Sequence, residues 1–195
     1  MPTGRLEAFS DGVIAVIITI MVLELRAPEE PDWHALQPLL PTLLAYLLSF
    51  VFLGIYWNNH HHLLHVTERI SGGAMWANLH LLFWLSLVPF VTAWMGEHEQ
   101  EPVPAAAYGA VLLMCGVAFT ILVRAILAAP GGNPRLKAAV GRDFKGWLSV
   151  VCYAGGILMT WVNHHISYGL YVAVALMWLI PDRRIEHELH GEGGA

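Results

Sequence analysis

The chain has 195 residues, of which 56% are apolar and only 13% charged, with a formal net charge of −5. A soluble domain carries roughly 25% charged residues, so this balance excludes a disordered chain, a basic nucleic-acid binder and an ordinary soluble enzyme. A mean hydropathy of +0.55 is that of an integral membrane protein, and at about 20 apolar residues per span the length allows six or seven crossings with almost no extramembrane domain.

Six apolar segments follow in chain order, at about 6–25, 36–57, 75–94, 105–129, 144–162 and 166–180. They read as the transmembrane helices of an all-α protein, a single six-span domain over residues 1–195. Prolines mark the breaks. Pro28 and Pro31 end the first helix, and Pro38 and Pro41 sit in the first turns of the second. Pro102 and Pro104 open the fourth, Pro130 to Pro134 close it, and Pro181 stops the sixth. Proline suits a first helical turn and stops a helix interior, because it lacks the backbone donor. Pro89 lies inside the third segment, which predicts a kink there. Only Asn163-His164-His165 separates the short fifth and sixth segments, so these read as a tight helical hairpin. Cys115 and Cys152 lie in apolar runs and read as small buried hydrophobes. The N-terminus lacks the pattern of a cleavable signal peptide.

Charge sorts the loops. Arg5, Arg69, Arg124, Arg135, Lys137, Arg142, Lys145, Arg183 and Arg184 fall on one side, and Arg26 on the other with Glu29, Glu30, Asp32, Glu97, Glu99 and Glu101. By the positive-inside rule both termini are cytoplasmic in a multi-pass protein of the cell membrane, and the outer face is acidic. An acidic face concentrates cations, or is simply a set of solvated loops. Trp33, Trp57, Trp76, Trp94, Trp147, Trp161 and Trp178 fall near span ends, as an aromatic belt does.

Ionisable groups within a span are functional candidates by default. The first segment has Glu7, Asp11 and Glu24 embedded in it. At 100° per residue, Arg5, Phe9, Gly12, Val16, Thr19, Ile20 and Leu23 share one stripe, while Asp11 lies about 140° from Val16. Glu7 is one turn from Asp11 on that second face. The Asp11 face needs polar partners from neighbouring helices, because a lone buried carboxylate is very costly. The plainer alternative makes Ser10 or Asp11 an N-terminal cap and the stripe part of the core.

Arg5-x-x-x-Phe9-Ser10-Asp11 at the start of a first span resembles the signature of the transmembrane-protein-175 family of potassium channels. Gly12-Val13 and the run from Thr19 to Leu25 are similar to that family too, as are Tyr56-Trp57-x-x-His60-His61, Trp76-x-Asn78-Leu79 and Leu87-x-Pro89-Phe90. The likeness is close over the first half of the chain and lies in hydropathy over the second. It implies a homotetramer around a central pore lined by the first helix, conducting potassium and other monovalent cations across the bilayer without a carbonyl selectivity filter. It implies a hydrophobic constriction five positions after Asp11, at Val16, with Thr19, Ile20 and Leu23 continuing the path. The family usually has Ile or Leu at that constriction, so Val16 predicts a wider pore and weaker discrimination among cations. Arg5, Phe9, Ser10 and Asp11 would then serve helix packing and assembly. By depth, Trp57, His60, His61 and Asn78 are the candidate partners of that motif.

His60, His61, His62 and His65 cluster after the second segment. His61 and His65 are one turn apart, a spacing that suits a metal, but no His-x-x-His or Glu-x-x-His pair lies within any of the six apolar segments. The chain is therefore read as having no metal, no cofactor, no catalytic residue and no nucleic-acid partner. The rival readings are an ion-coupled transporter using Asp11 and Glu24, and a histidine-metal membrane enzyme. A transporter of that kind often carries inverted repeats, and no internal repeat is evident.

Overall fold

In hydrocarbon every backbone N–H and C=O must find a partner within the protein, and a helix does this segment by segment. The computed structural model describes residues 3–67, 70–128 and 144–179, which are helical with no strand among them. Seven α-helices result: α1 Thr3–Leu23, α2 Leu40–His65, α3 Gly72–Ser86, α4 Val88–Glu97, α5 Pro102–Leu127, α6 Phe144–Met159 and α7 His164–Leu179. A 3-10 turn over His34–Leu39 leads into α2, and the Asp32 side chain just before it accepts from the Ala35 amide at 2.8 Å. Thr3–Leu23, His34–His65, Gly72–Glu97 and Pro102–Leu127 are long and apolar enough to cross a membrane. At 16 residues each, α6 and α7 reach roughly 24 Å. The basic residues Arg69, Arg135, Lys137, Arg142, Arg183 and Arg184, and the breaks at Pro130 to Pro134 and Pro181, lie outside the described residues.

Three local departures from the sequence expectation have physical causes. Just before Pro89 the third segment is interrupted: α3 ends at Ser86 and α4 starts at Val88. The Leu87 amide closes a tight turn onto the Trp84 carbonyl at 3.2 Å, and proline then occupies the first turn of α4, where its missing donor is harmless. α2 continues two turns past Trp57, through the histidines to His65. Of these, His61 and His60 reach partners on α1 and α3 respectively, described below. The last hairpin turns at Thr160 to Asn163, and α7 begins at His164 with the Asn163 side chain accepting from the His165 amide at 2.9 Å.

α5 is the central post, packed against α3, α4, α6 and α7, while α1 lies on α2, α3 and α4. Close approach depends on small residues. A Cβ on Gly96 would lie 2.7 Å from the Thr42 backbone, and one on Gly109 would overlap the Tyr171 hydroxyl. Tyr171 is fully buried and donates to the Ala105 carbonyl at 3.1 Å, pinning α7 to α5. A second buried junction joins α2, α4 and α5: the Ser49 hydroxyl lies 2.7 Å from that of Thr92 and 2.9 Å from that of Tyr108. Gly96→Ala and Gly109→Ala should each cost about 1–3 kcal/mol through overpacking, read as a lower thermal midpoint in detergent. Gly54→Ala, with nothing within 4 Å of its Cβ, should leave the midpoint unchanged or raise it slightly.

Candidate functional site

The first helix presents two faces. Leu6, Ser10, Ile14, Ile17 and Met21 are buried against α2, α3 and α4. On the other side Arg5, Phe9, Gly12, Val16, Thr19, Ile20 and Leu23 are all exposed, Val16 at 54% and Leu23 at 75%. A spanning helix this apolar that leaves such a stripe uncovered must present it to lipid, to another subunit or to a water-filled path.

The buried face carries a polar seam. Asn78 on α3 lies at its centre, with no exposed surface. Its amide nitrogen donates to the Ser10 hydroxyl at 2.9 Å, and Ser10 in turn donates to the Leu6 carbonyl at 2.8 Å. The Asn78 oxygen therefore accepts, and His60 Nε2 donates to it at 2.7 Å. The chain of donors runs one way, from His60 on α2 through Asn78 on α3 to Ser10 on α1. Such chains polarise and reinforce one another in a low dielectric. Among the described residues, Nδ1 of His60 is the buried side-chain atom left without a partner.

At the edge of the seam the two carboxylates of α1 are held by α2. Trp57 Nε1 donates to Asp11 Oδ1 at 3.0 Å, and His61 Nδ1 lies 2.8 Å from Glu7 Oε1. The His61 ring stacks between Trp57 and His65, with centroids 6.1 Å from each. The four candidate partners thus divide: Trp57 reaches Asp11, Asn78 reaches Ser10, and His60 acts through Asn78. His61 binds Glu7, a residue that the sequence reading had not placed in the site. Its signal was the matched one-turn spacing of Glu7 with Asp11 and of Trp57 with His61. The motif itself is split, since Ser10 and Asp11 face the seam while Arg5 and Phe9 lie on the exposed stripe.

On the stripe, the Thr19 hydroxyl donates to the Val16 carbonyl at 2.9 Å. Its proton is thereby turned inward along the helix. At the far end of α1, Glu24, Arg26, Thr42 and Glu97 border a cavity of about 90 Å³. Among the described residues, no group of three or more His, Cys, Asp or Glu side chains is arranged to hold a metal ion.

Comparison with known proteins gives these residues a context. The family described as endosomal/lysosomal potassium channel TMEM175 matches residues 5–89. A potassium channel of Chryseobacterium sp. (strain P1-3) is 52% identical over 189 residues, covering 97% of this chain and 98% of that one. The human endosomal/lysosomal proton channel TMEM175 is 35% identical over 92 residues, 40% of this chain and 18% of its own length. Among solved structures, a lysosomal potassium-selective channel TMEM175 homolog from Chamaesiphon minutus superposes with a TM-score of 0.78 at 29% identity, covering 93% of this chain and 97% of that one.

Asn78→Ala should cost about 1–3 kcal/mol, because it leaves the buried His60 donor without an acceptor. Thermal unfolding in detergent measures this, and an unchanged midpoint would mean that the seam does not hold α1.

Proposed function

This chain belongs to the TMEM175 family of cation channels, multi-pass membrane proteins rather than enzymes, and on that premise we propose that it is a potassium-preferring channel whose first helix lines the ion path. Four copies surround one axis, and each contributes its exposed α1 stripe. The observation that carries this reading is the division of α1 into a face fully engaged by its own subunit and a face left bare. Val16 forms the constriction, with Thr19, Ile20 and Leu23 beyond it. Apolar constrictions of this type gate by excluding water, so conduction depends on the diameter that these side chains leave. With its proton directed to the Val16 carbonyl, Thr19 offers oxygen lone pairs to a cation shedding part of its hydration. Arg5 and Phe9 lie at the end of the same stripe that carries the N-terminus, with both termini on the cytoplasmic side of the cell membrane. Ser10 and Asp11 fix the orientation of the helix from behind and serve assembly.

Reconstitution of the full chain in planar bilayers, with potassium and sodium on opposite faces, tests this directly. An ohmic current reversing toward the potassium potential supports the pore. A saturating flux that requires a proton gradient would favour an ion-coupled carrier, and reversal that follows an imposed pH difference would make the protein a proton pathway. Val16→Leu adds one methylene per subunit at the constriction, so it should lower conductance and raise potassium over sodium preference. Unchanged permeation in that variant would remove Val16 from the path. Asp11→Ala should reduce tetramer yield on size exclusion while leaving the ion preference of the assembled fraction intact. A normal tetramer with altered preference would instead place Asp11 in the pore.

A further inference from the structure

We propose that Asn58 on α2 and His80 on α3 meet across the boundary between two copies of this chain, so that these two flanks of α1 form the subunit interface. The inference rests on the reading that several copies turn their α1 stripes to one axis. It starts from His80. The Trp84 indole donates to His80 Nε2 at 2.9 Å. An indole N–H can only donate, so Nε2 presents a lone pair and the neutral ring carries its proton on Nδ1. Among the described residues no acceptor meets that Nδ1–H, and the ring is partly exposed. His80 lies about 12 Å along α3 from its first residue, Gly72, and one turn beyond Trp76. Lipid tails offer no acceptor at that depth, and an unpaired donor there is costly.

The chain itself carries a matching acceptor. Asn58 is exposed on α2, and among the described residues its side-chain amide has no partner. Its height follows from the seam. His60 and Asn78 touch, so they are level. α2 and α3 run in opposite directions, so Asn58 and His80 each stand two residues, about 3 Å, further toward the C-terminal end of α1. They are therefore level with each other. α1 packs on both helices, and neither side chain reaches the other within one copy. Rotation about an axis normal to the membrane preserves height. Copies set around such an axis bring the α2 flank of one to the α3 flank of the next with Asn58 and His80 still level. A contact of this kind joins two different faces, and repeating it closes a ring. The Asn58 oxygen brings the partial negative charge that the His80 proton lacks, and such side chains are the polar links between membrane helices. Around them both faces are apolar and bare: Leu44 and Leu47 on α2, Trp76 and Phe83 on α3. Nearer the far end, Ser49 touches Thr92, which puts the exposed Phe50 and Phe90 at nearly one height too.

The test is cross-linking in membranes. Two full chains, one Asn58→Cys and one His80→Cys, each with Cys115 and Cys152 replaced, carry different tags and are co-expressed. A short bifunctional thiol reagent should give a covalent dimer bearing both tags. Either chain expressed alone should give none. Phe50→Cys with Phe90→Cys stands in should the polar pair fail to assemble. Asn58→Leu and His80→Leu should each lower the tetramer-to-monomer ratio in detergent, by about three-fold per interface, and the double variant should fall no further. A tetramer that yields no mixed dimer with either cysteine pair would overturn the interface, as would dimers from one chain alone. Ready reaction of both Asn58→Cys and His80→Cys with a lipid-soluble maleimide in the tetramer would overturn it too, placing them against lipid. A tetramer without the mixed dimer rejects this pairing alone, whereas a chain that stays monomeric in membranes rejects the shared axis beneath it.

Discussion

The interaction on which the rest of this protein depends is the one-way hydrogen-bond chain from His60 to Asn78 to Ser10 to the Leu6 carbonyl. Three helices meet there, and every member is buried. In a bilayer an unpaired polar group costs several kcal/mol, so these side chains tolerate only arrangements that keep one another paired. Rotating α1 by even one residue position would carry Ser10 away from Asn78 and expose that cost. The seam therefore sets the rotation of α1 about its own axis more sharply than apolar packing does, since lipid is as apolar as leucine and gives little preference between faces.

Fixing that rotation determines what the opposite face presents. With Ser10, Ile14, Ile17 and Met21 turned inward, Phe9, Val16, Ile20 and Leu23 are necessarily turned out. The conventional signs of a functional site, its buried polar groups and carboxylates, thus lie behind the residues proposed to act on ions. Glu7 and Asp11 complete the arrangement by anchoring the helix to α2 at the margin of the seam. The remaining helices form a stiff backing: α5 at the centre, glycines at the α2–α4 and α5–α7 contacts, and hydroxyls joining α2, α4 and α5. A rigid backing suits a helix proposed to border a narrow opening.

Much of this was legible in the residues. Apolar run length marked the four helices among the described residues that are long enough to cross a membrane, because the hydrocarbon thickness sets a minimum that few soluble helices reach. Helical periodicity alone separated the Val16 stripe from Asp11, because 3.6 residues per turn leaves no other choice. The pairings across the seam were not legible. Trp57, His60, His61 and Asn78 share a depth, and depth does not say which of them meets Asp11. That depends on the crossing of α1 with α2 and α3, which is settled by side-chain packing along their whole length. The role of Glu7 was hidden for the same reason. The break at Leu87 was half visible: Pro89 announced a lost backbone bond, but whether a helix bends or restarts depends on whether the freed carbonyls find room in a tight turn.

Cysteine accessibility is the most direct measure of whether the bare face of α1 lines the ion path. Cys115 and Cys152 would first be replaced. Single cysteines would then be placed on the stripe, as Thr19→Cys, Ile20→Cys and Leu23→Cys, and on the buried face, as Ile17→Cys and Met21→Cys. A charged, membrane-impermeant thiol reagent applied during potassium current should block the first three variants and leave the last two conducting. Block at Ile17→Cys and Met21→Cys with the stripe unaffected would place the path elsewhere and make the exposed stripe a lipid or subunit contact.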